Sequence, residues 1–476
     1  MVGFVLSSTP VVRRSRAGRF CKQSRVRVGT SASAGQAKIA MDSVEDDEQI
    51  VVAQGARKRI AIVVEPTPFT HVSGYSNRFK THIEHLTKAG DDVLIICPDN
   101  SENAPSEYMG AKVQNVPGFK FPLYDKIQVS LGLWGVYSPL RDFKPDIIHL
   151  STPGLMTFAI LVYARLLRKP LIFSYHTHLP HYAMTYGMWY SVGLAWWLIK
   201  VCHNRADATL ATSPQLCNEL RQHGVQRVGL WPKGVNTNVF NPKFKSEAMR
   251  SRLSGGNPQD NLLIYVGRLG AEKNLQALKA VMAKLPSNTR LAFVGDGPYR
   301  TTLEELFAGT KTYFAGLLQG EELSKAFASA DVFVMPSESE TLGFVVMESM
   351  ASGVPVVGAR AGGIPDLIQH ERTGYLFEPG STDQVVDYVR KILYDAKLRE
   401  TMSKKARSES EKWSWKASTS VTRNFHYGRA ISSFKFRALW GLGLPRSLSW
   451  FRWIRRRMVM LFVLLTQRVK KAAMQY

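Results

Sequence analysis

Cysteine is scarce in this chain: four in 476 residues, at Cys21, Cys97, Cys202 and Cys217, with no paired spacing. That scatter argues against a disulfide framework and for a reducing compartment. Long apolar runs are missing as well. In the most membrane-like stretch, 444–466, the longest unbroken run is 458–465, eight residues. A helix that crosses a bilayer needs about 20. Acid is absent from both ends. Residues 1–41 hold eight Lys/Arg and 412–476 hold fourteen, neither with an Asp or Glu, which leaves only +2 of the net +24 for residues 42–411. Nucleic-acid binders concentrate charge on a face of the folded domain, so the near-neutral middle argues against a nucleic-acid partner. No short-period repeat is present.

What remains is ordinary for a globular protein: 45 % hydrophobic and 21 % charged residues, with length for two or three domains. Residues 1–41 are Arg- and Ser-rich without a secretory apolar core, the composition of a transit peptide; the plainer reading is a disordered basic tail. A mixed linker follows at 42–56. From there apolar runs at 60–64, 93–97, 146–150, 170–176 and 208–213 alternate with amphipathic stretches such as NRFKTHIEHLTKAG. This is the pattern of a parallel α/β sheet. After the loop KGVNTNVFNPKF a second series begins, at 262–268, 291–294, 332–335 and 354–357. The expected fold class is therefore α/β: two Rossmann-like domains, 57–233 and 234–428, facing a central cleft, with a basic segment at 429–476. Ligands of such sheets bind at the carboxyl ends of the strands.

The stretch SESETLGFVVMES (337–349) places Glu340 and Glu348 eight residues apart around Gly343 and a helical pattern. Unpaired N–H groups at a helix start attract phosphate, and glycine lets a backbone approach a ligand. A carboxylate accepts two hydrogen bonds from vicinal hydroxyls. One glutamate can hold a sugar and the other a ribose, with a pyrophosphate between them. Arg268 and Lys273, in VGRLGAEKN, supply cations for two phosphates without a metal. Gly295, in GDGP, marks another tight turn at the same strand ends. Each piece alone is commonplace; the set at the strand ends of one domain is not.

These residues resemble the donor half of the family-four retaining glycosyltransferases with the GT-B fold. VEPTPFTHVSGYSNRF, SYHTHLP, LWPKGVNTNVFNP and ARAGGIPD resemble the sulfolipid-synthase branch of plastids and cyanobacteria; the likeness covers roughly 58–430. The resemblance implies transfer of sulfoquinovose from UDP-sulfoquinovose to diacylglycerol, with neither metal nor cofactor. It assigns catalytic roles to His176, Arg268, Lys273 and Glu340. Donor contacts fall to Gly74, Gly295, Leu317, Thr341, Leu342, Gly343 and Glu348, with Glu348 on the ribose, Gly74 by the diphosphate and Leu317 by the base. The alternatives are a lipid glucosyl- or mannosyltransferase using another UDP- or GDP-sugar, and a non-catalytic nucleotide-sugar binder. One departure is Asn236, where the family has aspartate. The implied location is the plastid, peripheral on the envelope or thylakoid.

Three further features stay open. His176, His178 and His181 alternate in HTHLPH, but no carboxylate lies near in sequence to complete a metal site. GMWYSVGLAWWLIK (187–200) is either a core helix or a lipid-facing surface. In 444–466, Phe451, Ile454, Met458, Leu461 and Leu465 form a stripe among Arg452, Arg455, Arg456 and Arg457, as expected of a helix lying in an anionic membrane interface.

Overall fold

The computed structural model describes residues 56–71, 74–121, 124–185 and 187–441. The transit-peptide stretch, nearly all of the linker and the stripe at 444–466 lie outside the described residues.

The first domain is built on β1 (Arg59–Val63), β2 (Asp92–Pro98), β3 (Glu107–Tyr108), β4 (Ala111–Val116), β7 (Ile147–Thr152), β8 (Leu171–Tyr175), β9 (Ala208–Ala211) and β10 (Val228–Leu230), with a separate β5 (Phe119–Phe121)–β6 (Tyr124–Val129) hairpin. The sheet order is β10-β9-β8-β7-β1-β2-β4-β3, parallel but for β3 against β4. β7 and, after Arg59, β1 are buried along their whole length because both of their faces are covered. Helix α1 (Gly74–Lys88) covers one face through Phe79, Ile83 and Leu86. Helix α2 (Met156–Leu166) covers the other through Met156, Ile160 and Ala164. Helix α3 (Leu179–Thr185) follows β8, and α4 (Val192–His203) lies beside α2.

The second domain is a six-stranded parallel sheet, order β13-β12-β11-β14-β15-β16. Its strands are β11 (Asn261–Val266), β12 (Thr289–Val294), β13 (Thr312–Gly316), β14 (Val332–Met335), β15 (Val356–Ala359) and β16 (Gly374–Phe377). Helix α5 (Phe344–Ala351) packs Val346, Met347 and Met350 into this core.

The chain crosses between the domains twice, side by side. Val235 N–H donates to Trp413 C=O at 2.9 Å, and a Cβ on Gly234 would stand 2.6 Å from the Trp415 ring. The return crossing corrects the domain boundary read from sequence. The sequence reading places 415–428 in the second domain and starts the separate basic segment at 429. Instead, α6 (Trp415–Ser420), the π-helical turn Val421–Tyr427 and α7 (Gly428–Gly441) return to the first domain. Tyr427 hydroxyl lies 3.0 Å from His82 Nε2 and 2.6 Å from His149 Nδ1. Arg423 forms a fully buried two-point ion pair with Asp91, at 2.5 and 2.7 Å. Ala430 enters the first core. Periodicity shows that such helices have an apolar side; the partners waiting for it lie 278 to 345 residues earlier.

Candidate active site

The carboxyl ends of the two sheets meet across the cleft, and the loop before α5 is its centre. Gly343 caps α5 with φ +93, a left-handed conformation that glycine adopts without steric cost. No side chain caps the N–H groups that open α5. Leu342 is buried beneath the loop. Thr341 bridges the domains: its hydroxyl donates to His176 C=O at 3.0 Å, and its own C=O accepts from the Thr212 hydroxyl at 2.9 Å. Glu340 is fixed by Gly363 N–H donating to its C=O at 2.7 Å. Gly74, first residue of α1, abuts Phe344, first residue of α5; a Cβ on Gly74 would stand 2.5 Å from the Phe344 ring.

Lys273 Nζ lies 2.5 Å from Glu340 Oε1, both nearly shielded from solvent. Burial works against the lysine charge, but Glu340 and Tyr182 outweigh it, and the pKa rises. Arg268 leaves the end of β11 half-buried, 3.7 Å from the buried carboxylate of Glu272. Gly295 ends β12 at φ +139, and a Cβ there would stand 1.9 Å from Gly267 C=O. Only glycine lets these two strand-end turns touch. Gly295 N–H donates to Gly316 C=O at 2.8 Å, so exposed Leu317 stands one residue beyond that contact, at the outer edge of the site. Glu348 lies one turn down α5, half-buried, and burial pushes its carboxyl up to about 7. Among the described residues no ion pair engages it.

His176 caps the end of β8, buried, with Nε2 2.9 Å from Ser174 Oγ. Burial, then the Arg78 guanidinium and His149, hold its pKa well below the ordinary value. It is neutral at physiological pH, able to donate from one ring nitrogen and accept at the other. His178 does not join it: its Nε2 lies 2.9 Å from Glu219, a carboxylate close in space but 41 residues away in sequence. Among the described residues no group of three or more His, Cys, Asp or Glu is arranged to hold a metal. Asn236, at the departure from the family pattern, accepts from Asn238 and Val239 N–H and closes a turn.

Sequence reading passed over three side chains. Arg78 is fully buried beneath the site. It donates to Trp231 and Pro232 C=O at the domain crossing, each at 2.9 Å, and lies over the Trp231 ring at 4.3 Å. Its helical register with His82 and Leu86, both on the buried side of α1, was the available signal. Glu272 stands within the quoted VGRLGAEKN but looks there like a solvated charge. Tyr182, on α3, is within electrostatic reach of Lys273 and Arg268.

Two facing parallel-sheet domains, with a glycine-capped helix start and two cations near their junction, have the architecture of a GT-B glycosyltransferase. The family comparisons agree. Glycosyltransferase Family 4 matches residues 72–239 and Glycosyl transferases group 1 matches 250–409. Sulfoquinovosyl transferase SQD2 of Arabidopsis thaliana is 45 % identical over 89 % of this chain and 84 % of its own. A GDP-mannose-dependent alpha-mannosyltransferase of Corynebacterium glutamicum is 36 % identical over 67 % of this chain and 76 % of its own. Sucrose-phosphate synthase of Thermosynechococcus elongatus superposes with a TM-score of 0.66 at 22 % identity, over 79 % of this chain and 100 % of that one. The chain belongs to the family-four glycosyltransferases.

Proposed function

We propose that this chain transfers sulfoquinovose from UDP-sulfoquinovose to the 3-hydroxyl of diacylglycerol with retention of configuration, at a plastid membrane surface. The observation that carries the reading is the 45 % identity with a sulfoquinovosyl transferase across nearly the whole chain. The site fits the chemistry. The diphosphate sits on the start of α5 between Arg268 and Lys273, where charge grows as the glycosidic bond breaks; fixed cations there stabilise the transition state more than the ground state. Glu340 holds Lys273 in place and receives sugar hydroxyls, and Glu348 receives those of the ribose. Neutral His176 hydrogen-bonds the sugar without placing a positive charge beside a developing oxocarbenium ion. The departing diphosphate takes the acceptor's proton, so no protein base is required. Residues 1–41 act as the plastid address, and the basic tail draws the enzyme to anionic lipid.

The test is a donor screen. Purified chain, dioleoylglycerol and, separately, UDP-sulfoquinovose, UDP-glucose and GDP-mannose are incubated and the lipid products weighed by mass spectrometry. The sulfoquinovosyl lipid should dominate. A hexosyl lipid from UDP-glucose or GDP-mannose alone would favour the second reading, which the mannosyltransferase likeness supports. For location, residues 1–45 fused to a fluorescent reporter should enter plastids, and cytosolic fluorescence would remove that assignment.

A further inference from the structure

The first domain leaves an unusual amount of apolar surface uncovered on one side. On α2, Phe158, Val162 and Leu166 recur every fourth residue and are all more than half exposed, while Met156, Ile160 and Ala164 turn into the core. The loop that carries Leu131, Leu133 and Trp134, also more than half exposed, is pinned to the same helix. Tyr163 hydroxyl donates to Gly132 and Leu133 C=O at 3.1 and 3.2 Å. On neighbouring α4, Leu194 and Trp197 face outward, whereas Trp196 is stacked on His223 at 3.6 Å. Trp189 and Tyr190, 71 % and 73 % exposed, extend the surface toward α3, and α3 packs against the Lys273 turn. Helices α2 and α4 cover the same face of the sheet, so their outer sides form one surface that reaches the mouth of the cleft.

Its charge is mainly positive. Residues 147–206 contain no Asp or Glu and five Lys/Arg. At its foot, Arg165, Arg168, Lys169 and Arg205 share a hollow with Phe434 and Arg437 of α7 and with one acid, Asp207, which is paired to Arg437. The chain therefore leaves α7 beside this surface and continues into the basic residues 442–476. That tail is a poor cover for it, because cations would meet cations.

We propose that this face is the membrane-docking surface: the apolar stripes of α2, α4 and the 131–134 loop enter the outer layer of an anionic bilayer, the basic foot meets its headgroups, and the cleft mouth opens at lipid level. An apolar band with a border in which cations outnumber acids is what such a surface requires. The inference rests on the membrane reading above, and its test separates the two. Full-length chain is floated with phosphatidylglycerol-containing and with purely phosphatidylcholine vesicles, alongside Phe158→Glu/Val162→Glu/Trp197→Glu and the milder Phe158→Ser/Trp197→Ser. Thermal melts confirm folding, and turnover is read on short-chain diacylglycerol in micelles and on bilayer-embedded diacylglycerol. The wild type should float with the anionic vesicles. The triple variant should partition at least tenfold less and lose bilayer turnover while keeping micellar turnover, with the double variant between. Variants that float like the wild type would overturn the face and leave the membrane reading to another segment. A wild type that floats with neither vesicle would overturn both. A lipid-free oligomer that the variants dissolve would make the face a protein interface instead.

Discussion

Glu348 is the residue where environment matters most to function. Burial moves its proton affinity to about 7, while in the proposed donor complex ribose hydroxyls donate to the ionised form. Donor binding therefore favours loss of the proton. A UDP-sugar is a diphosphate diester and does not titrate in this range, so its affinity should strengthen about tenfold between roughly pH 6 and pH 8. Calorimetry across that range checks this, and Glu348→Gln should flatten the dependence and weaken binding by about 1.5–3 kcal/mol at the upper end. A slope that survives in the variant would place the titrating group elsewhere. Residues of this kind were legible because Glu340, Gly343 and Glu348 belong to one turn and helix, where spacing carries the geometry. Arg78 was not. Its partners are carbonyls 153 and 154 residues away, and a charged side chain on a helix normally signals solvent.

At the scale of elements, α1 and α5 meet end to end at Gly74 and Phe344, so the cleft closes on an absent side chain. Gly74→Ala should hold the walls apart. A shift of about 1 Å in catalytic geometry costs on the order of a hundredfold in rate, so turnover should fall by about that factor and more than UDP affinity, which in the proposed complex Arg268, Lys273 and Glu348 still serve. Gly74→Ala combined with Phe344→Ala should recover more turnover than the single changes predict by addition. Additive losses in that cycle would show that the contact is not what limits closure. Strands read from continuous apolar runs are present within a residue or two of their expected ends. Most of those passed over have weaker patterns: β4 (AKVQNV) alternates, β10 has three residues, and β13 is a partly exposed edge; β16 (GYLF) is apolar and buried but only four residues long. Their pairing to a strand already in place, rather than their own composition, makes them strands.

For the whole molecule, buried histidines set the response to acid. Burial lowers His149 to about 3, His203 to about 3 and His426 to about 4, and His82 and His176 well below their ordinary value. Below about pH 6.5 the unfolded chain binds protons that the folded one refuses, so stability falls with pH, by about 2 kcal/mol per histidine between pH 7 and pH 5. Glu65 and Glu348, both raised to about 7 by burial, work in the opposite sense with about the same size each. Five histidines against two glutamates leave a net loss. The melting temperature should drop by several degrees from pH 7 to pH 5, measurable by scanning fluorimetry. A melting temperature that holds or rises at pH 5 would mean the histidines are charged in the fold.

Sequence alone determined the α/β class with two sheets and set Glu340, Gly343 and Glu348 on one turn and helix start, because strand periodicity, glycine turns and helix starts are local properties. Tertiary structure decided three matters that local pattern leaves open. It sent residues 415–441 back to the first sheet, where Asp91, His82 and His149 awaited Arg423 and Tyr427. It left Trp189 and Trp197 exposed while stacking Trp196 on His223. It kept His176 neutral by burying it near Arg78. In each case the sequence declares that a side is apolar or a group is charged. What covers that side, and what field that group feels, depends on segments that only the folded chain brings into contact.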